Sequence, residues 1–252
     1  MGVGRHIFIL VLVLFGPAAF AEALTIAVAS NFTRPAQALA AHYEETSGNP
    51  VRITTASTGK LYAQIENGAP FDILLAADAD RPKMLEDSGL GAAHTRFSYA
   101  IGSLVLWSQD AALANENCRV LLENLDMRRL AIANPLTAPY GLAAKQFLEA
   151  ENLWESVEPQ LVYGENIAQT LHFVVSRNAS LGLIARAQAT DKRLPKAACQ
   201  WSVPASMHKP IEQQAILLQR ATDNDVATDF LSYLRSAAAR ELIAAHGYEV
   251  PD

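Results

Sequence analysis

The chain has 252 residues, half of them hydrophobic, with 26 acidic against 20 basic side chains and a formal net charge of −6. That length provides for one large domain or two lobes of about a hundred residues each, either of them able to bury a core. An acidic balance without any basic run gives no electrostatic basis for binding nucleic acid or an anionic membrane surface.

The N-terminus has Arg5 as its only charge before Glu22, an apolar run over residues 7–15 and the small-x-small triplet Ala19-Phe20-Ala21. The run is too short to span a bilayer, and the pattern is that of a secretory signal peptide over residues 1–21, cut before Glu22. No later stretch reads as a membrane span. An oxidising compartment allows Cys118 and Cys199 to pair; two isolated buried thiols are the alternative, and spacing alone does not choose between them.

From residue 24 onward, apolar β-type runs alternate with amphipathic helical stretches. A first strand covers 24–29, and a helix follows from about Thr33, with Leu39, Ala40 and Tyr43 on one face and Gly48 ending it. A strand over 51–55, a short helix over 60–66 and the breaker Asn67-Gly68-Ala69-Pro70 come next. Residues 71–77 form a buried strand leading to a helix that ends near Gly89. One long strand over 99–107 carries the chain into a second lobe. There a strand over 130–133 is stopped by Asn134-Pro135, and a helix follows with Leu142, Phe147 and Leu148 on its apolar face. Further strands over 161–163 and 181–185 flank a helix over 167–176. A strand over 213–218 returns the chain to the first lobe, which two helices over 225–234 and 237–245 complete. The expected organisation is a first lobe from 22–99 and 207–252, with a second lobe over 100–206 inserted. The fold class is α/β, with mostly parallel sheets, helices on both faces and a hinged cleft between two lobes. A single doubly wound domain is the alternative.

Chemistry is expected at the strand-to-helix turns. Ligands of open α/β sheets bind beyond the carboxyl ends of the strands, where helix N-termini present unpaired N–H groups and partial positive charge. The turn after the first strand is Ala29-Ser30-Asn31-Phe32-Thr33, and that after the second is Ala56-Ser57-Thr58-Gly59-Lys60. Each alone reads as an ordinary N-cap. Together they indicate a site for an anion or polar solute.

Those two tracts, with Gln64-Ile65-Glu66-Asn67-Gly68-Ala69-Pro70, Ala76-Ala77-Asp78, Asn134-Pro135-Leu136-Thr137-Ala138-Pro139-Tyr140-Gly141 and Ala244-Ala245-His246-Gly247-Tyr248, resemble in order the signatures of periplasmic molybdate-binding proteins. The resemblance spans nearly all of the chain after the signal peptide. It implies a two-lobed periplasmic solute-binding fold of type II-like architecture that binds molybdate or tungstate in its cleft. The implied partner is an inner-membrane ABC permease with its ATPase, and the implied state is a periplasmic monomer with no cofactor.

Carried over by position, the resemblance implies an oxyanion site made by Ser30, Asn31, Thr58, Ala77, Tyr140 and Ile167. Asn31 stands where many members have serine, and its NH₂ is expected to donate. Thr58 supplies a hydroxyl and a backbone donor, while Ala77 and Ile167 supply backbone N–H groups. Members that draw a tyrosine from the strand over 181–185 have it at the place of Ala185; this chain instead has Tyr140, as another subgroup does. Lys60 stands close enough to raise the question of a contact. Asp78 and Asp80 are expected to support the following helix and not the anion.

Other readings are a binding protein for sulfate, phosphate or ferric ion on the same scaffold, and a secreted hydrolase. Ferric sites want phenolates and carboxylates together, whereas these turns carry Ser, Thr and Asn. The six histidines lack metal-ligand spacing, and neither a Gly-x-Ser-x-Gly nor a P-loop motif is present, so nothing in the sequence reads as an enzyme.

Overall fold

The computed structural model describes residues 23–251 except 115, 124, 126 and 127. The expected signal peptide, residues 1–21, lies outside the described residues. No helix among the described residues is long and apolar enough to cross a membrane.

The strands are β1 (Leu24–Ala29), β2 (Val51–Ala56), β3 (Ile73–Leu75), β4 (Phe97–Gly102), β5 (Leu104–Ser108), β6 (Leu130–Ala133), β7 (Leu161–Gly164), β8 (Leu181–Ala185), β9 (Cys199–Ser202) and β10 (Ile211–Leu217). The helices are α1 (Thr33–Ser47), α2 (Thr58–Glu66), α3 (Asp80–Asp87), α4 (Cys118–Leu121), α5 (Pro139–Ala150), α6 (Trp154–Val157), α7 (Ile167–Val175), α8 (Arg186–Ala189), α9 (Asp225–Leu234) and α10 (Ala237–Ala245). The strands form two five-stranded sheets, in the orders β2-β1-β3-β10-β4 and β7-β6-β8-β5-β9.

The sheets are mostly parallel in strand direction, as expected, but each contains one reversed strand. In the first sheet β1 pairs parallel with β2 and β3, but β10 runs antiparallel to both β3 and β4. In the second, β6 pairs parallel with β7 and β8, while β5 runs antiparallel to β8 and β9. Both sheets are therefore mixed. The reversed strand of each sheet, β10 in the first and β5 in the second, is the one on which the chain enters that lobe from the other, because a chain that leaves a lobe on one strand must re-enter on another running the opposite way.

The single strand expected over 99–107 is two strands, broken at Ser103: β4 hydrogen-bonds into the first sheet and β5 into the second. Seven of the nine side chains in this stretch are apolar or aromatic, with only Gly102 and Ser103 interrupting, so no local turn signal marks the change of partner. The first crossing thus falls at Ser103, a few residues beyond the expected boundary at 99. The return runs through residues 203–210.

Alternation along each strand explains why helices cover both faces. Ile26 and Val28 pack with Phe32, Leu39 and Tyr43 near α1, and with Phe230 and Ile243 from α9 and α10. Ala27 faces the other way, toward Leu61 and Ile65 of α2 and Leu85 of α3. In the second lobe Leu104, Leu106 and Ile132 pack on Phe147 and Leu148 of α5, whereas Val105, Trp107 and Ile184 meet Val174 of α7. Each such large side chain contributes about 1.5–3 kcal/mol through burial. Leu142 departs from the expected apolar face of α5: it is exposed, and Tyr140, Ala143 and Ala144 take the buried positions.

The cysteines pair. Cys118 at the start of α4 is disulfide-bonded to Cys199 at the start of β9, with Cα atoms 5.7 Å apart. The short strand β9 carried no alternation in the sequence, and its place is set by pairing with β5.

Candidate ligand-binding site between the lobes

Four helix starts converge on one small cavity between the sheets. Its walls are Ala29, Ser30, Asn31, Ser57, Thr58, Ala77, Ala138, Pro139, Tyr140 and Ile167. All six residues expected at the site are therefore brought together, and Ala185, set aside for lack of a hydroxyl, is not among the walls. No wall residue carries a charged side chain. Positive helix ends without counter-charges form an environment suited to an anion.

The polypeptide leaves particular N–H groups for this space. At α7, the side chain of Asn166 accepts from Ala168 N at 3.0 Å and Gln169 N at 3.1 Å. The N–H of Ile167, at the first position of the helix, has no intrahelical acceptor by geometry and belongs to a cavity wall. At α2, Lys60 N and Leu61 N both donate to Ser57 O, and Gly59 N donates across the cleft to Thr137 O at 2.9 Å. That leaves the Thr58 N–H as the first-turn donor. Gly59 permits this approach because a Cβ there would stand 2.9 Å from Thr137 O and 3.1 Å from Thr137 Cα.

Thr58 is fully buried, and its Oγ1 accepts the Ala77 N–H at 3.0 Å. Ala77, expected as a direct backbone donor, lines the cavity, and in this structure its N–H is given to Thr58. The consequence is orientation, since a hydroxyl that accepts from the backbone keeps its own proton for another partner.

Asn31 likewise lines the cavity with its side-chain amide engaged within the protein. Its Nδ2 donates to Gln213 Oε1 at 2.8 Å and to Tyr248 Oη at 3.0 Å, and the Tyr248 hydroxyl donates to Asn31 O at 2.8 Å. The NH₂ group expected to meet the anion is committed to this network. What Asn31 and Ser30 offer are first-turn N–H groups of the 3-10 turn Ser30–Phe32 that leads into α1.

Tyr140 comes from the second lobe yet ends against the first. Its hydroxyl lies 3.5 Å from the donating Gln213 Nε2, and the residue is 1% exposed. Burial, and then the neighbouring phenols of Tyr248 and Tyr99, hold the Tyr140 hydroxyl well above the usual tyrosine range, so it stays an O–H donor at neutral pH.

Three contributors were not singled out from the sequence. Ser57 caps α2 by position, but its side chain makes no capping bond. It is 2% exposed, lines the cavity, and its Oγ has no protein partner. A buried hydroxyl of this kind normally finds an acceptor. Its signal in the sequence was the Ser57-Thr58 pair, of which only the second member was chosen. Gln213 and Tyr248 orient Asn31. Gln213 is a fully buried amide within the polar stretch Glu212-Gln213-Gln214 of β10, placed beside a β-bulge in which Tyr99 is the extra residue of β4.

Lys60 forms an ion pair with Glu165 across the cleft and so has a protein carboxylate as its partner. Asp78 accepts from Arg81 N at 3.0 Å and from Arg81 Nη1 at 2.5 Å, the helix-supporting role expected for it. Burial raises its carboxyl above the usual range, with Arg81 opposing that shift. Among the described residues no group of three His, Cys, Asp or Glu side chains is placed to hold a bare metal ion.

Residues 24–249 match the bacterial extracellular solute-binding protein family. The chain belongs to this family. It is 41% identical over 231 residues to the molybdate-binding protein ModA of Azotobacter vinelandii, covering 92% of this chain and 91% of that one. It is 38% identical over 245 residues to ModA of Rhodobacter capsulatus, covering 97% and 95%. Its fold superposes on the solved periplasmic molybdate-binding protein of Azotobacter vinelandii with a TM-score of 0.84 at 35% sequence identity, covering 91% of this chain and all of the other.

Proposed function

We propose that the protein captures molybdate or tungstate in the periplasm and delivers it, as a monomer, to an inner-membrane ABC permease and its ATPase. It needs no cofactor and makes no covalent change to its cargo. The observation that carries this reading is the convergence of four helix starts, two from each lobe, on a cavity walled by neutral groups. The similarity to molybdate-binding proteins over nearly the whole chain supports the choice of ion.

The donors are the backbone N–H groups of Ser30, Asn31, Thr58 and Ile167 and the hydroxyls of Ser57, Thr58 and Tyr140. A fully deprotonated tetrahedral oxyanion offers only acceptors and satisfies such a set. Phosphate near neutral pH keeps a proton, and a hydroxyl that accepts it cannot also donate to that same oxygen, so one donor bond to the ion is lost, at a cost of about 1–3 kcal/mol. Sulfate carries no such proton, but it is smaller, and donors spaced for the larger ion stand too far from its oxygens. Isothermal titration is expected to show molybdate and tungstate bound comparably, sulfate much more weakly and phosphate scarcely. Displacement of molybdate by similar concentrations of sulfate would favour a general anion carrier instead.

Ser57→Ala separates binding from stability. Its hydroxyl has no protein partner, so its removal should leave the melting temperature unchanged or slightly raised, while affinity for molybdate falls by about 1 kcal/mol or more. Equal affinity in this variant, measured by the same titration, would remove Ser57 from the donor set.

A further inference from the structure

Beside the inner cavity lies a larger one of about 580 Å³, walled by both lobes and open to solvent. Ser30 and Asn31 belong to both, so the two spaces adjoin. The larger space is the mouth of the cleft.

Its charge is unlike that of the rest of the chain. Arg34 on α1 stands on one side, with Asp191, Lys192 and Arg193 after α8 on the other, and His246 follows α10. His246 is tied through Nδ1 to Leu242 O at 2.7 Å. Three permanent cations thus face one carboxylate, on a protein whose formal net charge is −6. Asp191 is shared: Arg34 Nη1 reaches it across the lobes at 2.5 Å, and Arg193 Nη2 reaches it at 3.2 Å from its own lobe. The side chains of Arg34 and Arg193 are 44% and 74% exposed, and Lys192 is exposed too. A second ion pair crossing the cleft, Lys60 with Glu165, is neutral in itself.

We propose that this mouth is an encounter site for the divalent oxyanion, which Lys192, Arg193 and Arg34 draw in before the neutral inner cavity takes it. The proposal rests on the oxyanion reading above. Division of labour is its physical basis. The inner donors act at hydrogen-bond range, and an acidic protein repels a dianion at long range unless a local positive field opposes that repulsion. Asp191 sets the field's strength. Separation of the lobes takes Arg34 away from it and leaves that guanidinium facing the cleft, whereas closure restores the pair and holds the lobes together at their rim.

The test is stopped-flow fluorescence with molybdate on the full mature protein, giving association and dissociation rates separately. At low ionic strength, where the screening length is about 30 Å, the double variant Lys192→Gln, Arg193→Gln should associate about 5–10-fold more slowly with an unchanged dissociation rate. At about 1 M salt, with screening near 3 Å, that difference should vanish. Asp191→Asn should associate faster than the parent at low salt and dissociate faster at any salt, since the cross-lobe pair is gone. Association rates that neither change alters at low salt would overturn the encounter site and leave the inner site untouched. A parent protein that binds no molybdate by titration would overturn the oxyanion reading itself.

Discussion

Thr58→Val is expected to weaken molybdate binding by about 1.5–3 kcal/mol, roughly tenfold to more than a hundredfold in Kd. Valine keeps the shape and the backbone N–H of Thr58 but removes the hydroxyl that the Ala77 N–H orients toward the cavity. A second cost falls on the fold. Residue 77 is buried, so its N–H loses its acceptor in a place water does not reach, at about 1–3 kcal/mol. Titration reads the first effect and thermal unfolding of the ligand-free protein the second. Thr58→Ser, which restores the hydroxyl, should recover most of both. Affinity unchanged in Thr58→Val would reduce the turn after β2 to a helix cap.

Gly102→Ala is expected to damage binding from a position outside the cavity. A Cβ on Gly102 would lie 2.2 Å from Tyr140 Oη, 2.9 Å from Tyr140 Cζ and 3.0 Å from Gln213 Nε2. Tyr140 and Gln213 are both buried, so neither can yield without disturbing the Asn31 network behind them. Overpacking of this kind costs about 1–3 kcal/mol of stability, and displacing the phenol removes a donor contributed by the second lobe. Molybdate affinity should therefore fall at least about tenfold, close to the loss in Tyr140→Phe. Combining the two substitutions should add little to either alone, because both act through one hydroxyl. Full additivity, or normal binding by Gly102→Ala, would show that Tyr140 does not work through this contact.

Much of the architecture was legible because it is local. Buried parallel strands such as β1 and β6 are short apolar runs, and α1, α9 and α10 show amphipathic spacing with recognisable ends. Non-local pairing was not legible. The stretch from Tyr99 to Trp107 is one apolar run in the sequence, and only its change of hydrogen-bond partners at Ser103 divides it between two sheets. Strand β9 and the reversed directions of β5 and β10 were unreadable for the same reason, since direction and register depend on where the returning chain enters.

The site divides along the same line. By itself the sequence determined which turns line the cavity between the lobes, because Ser, Thr and Asn at consecutive strand ends mark helix starts, and a helix start exposes N–H groups wherever it lies. It also placed Ser30, Asn31, Thr58, Ala77, Tyr140 and Ile167 in one set through their resemblance to a family. Tertiary structure decided what each atom does. The Ala77 N–H went to Thr58, the Asn31 amide went to Gln213 and Tyr248, and the Ser57 hydroxyl was left without a partner. A hydrogen bond consumes a donor only when its acceptor is within about 3 Å, and that distance joins residues 19, 182 and 217 positions apart in the chain.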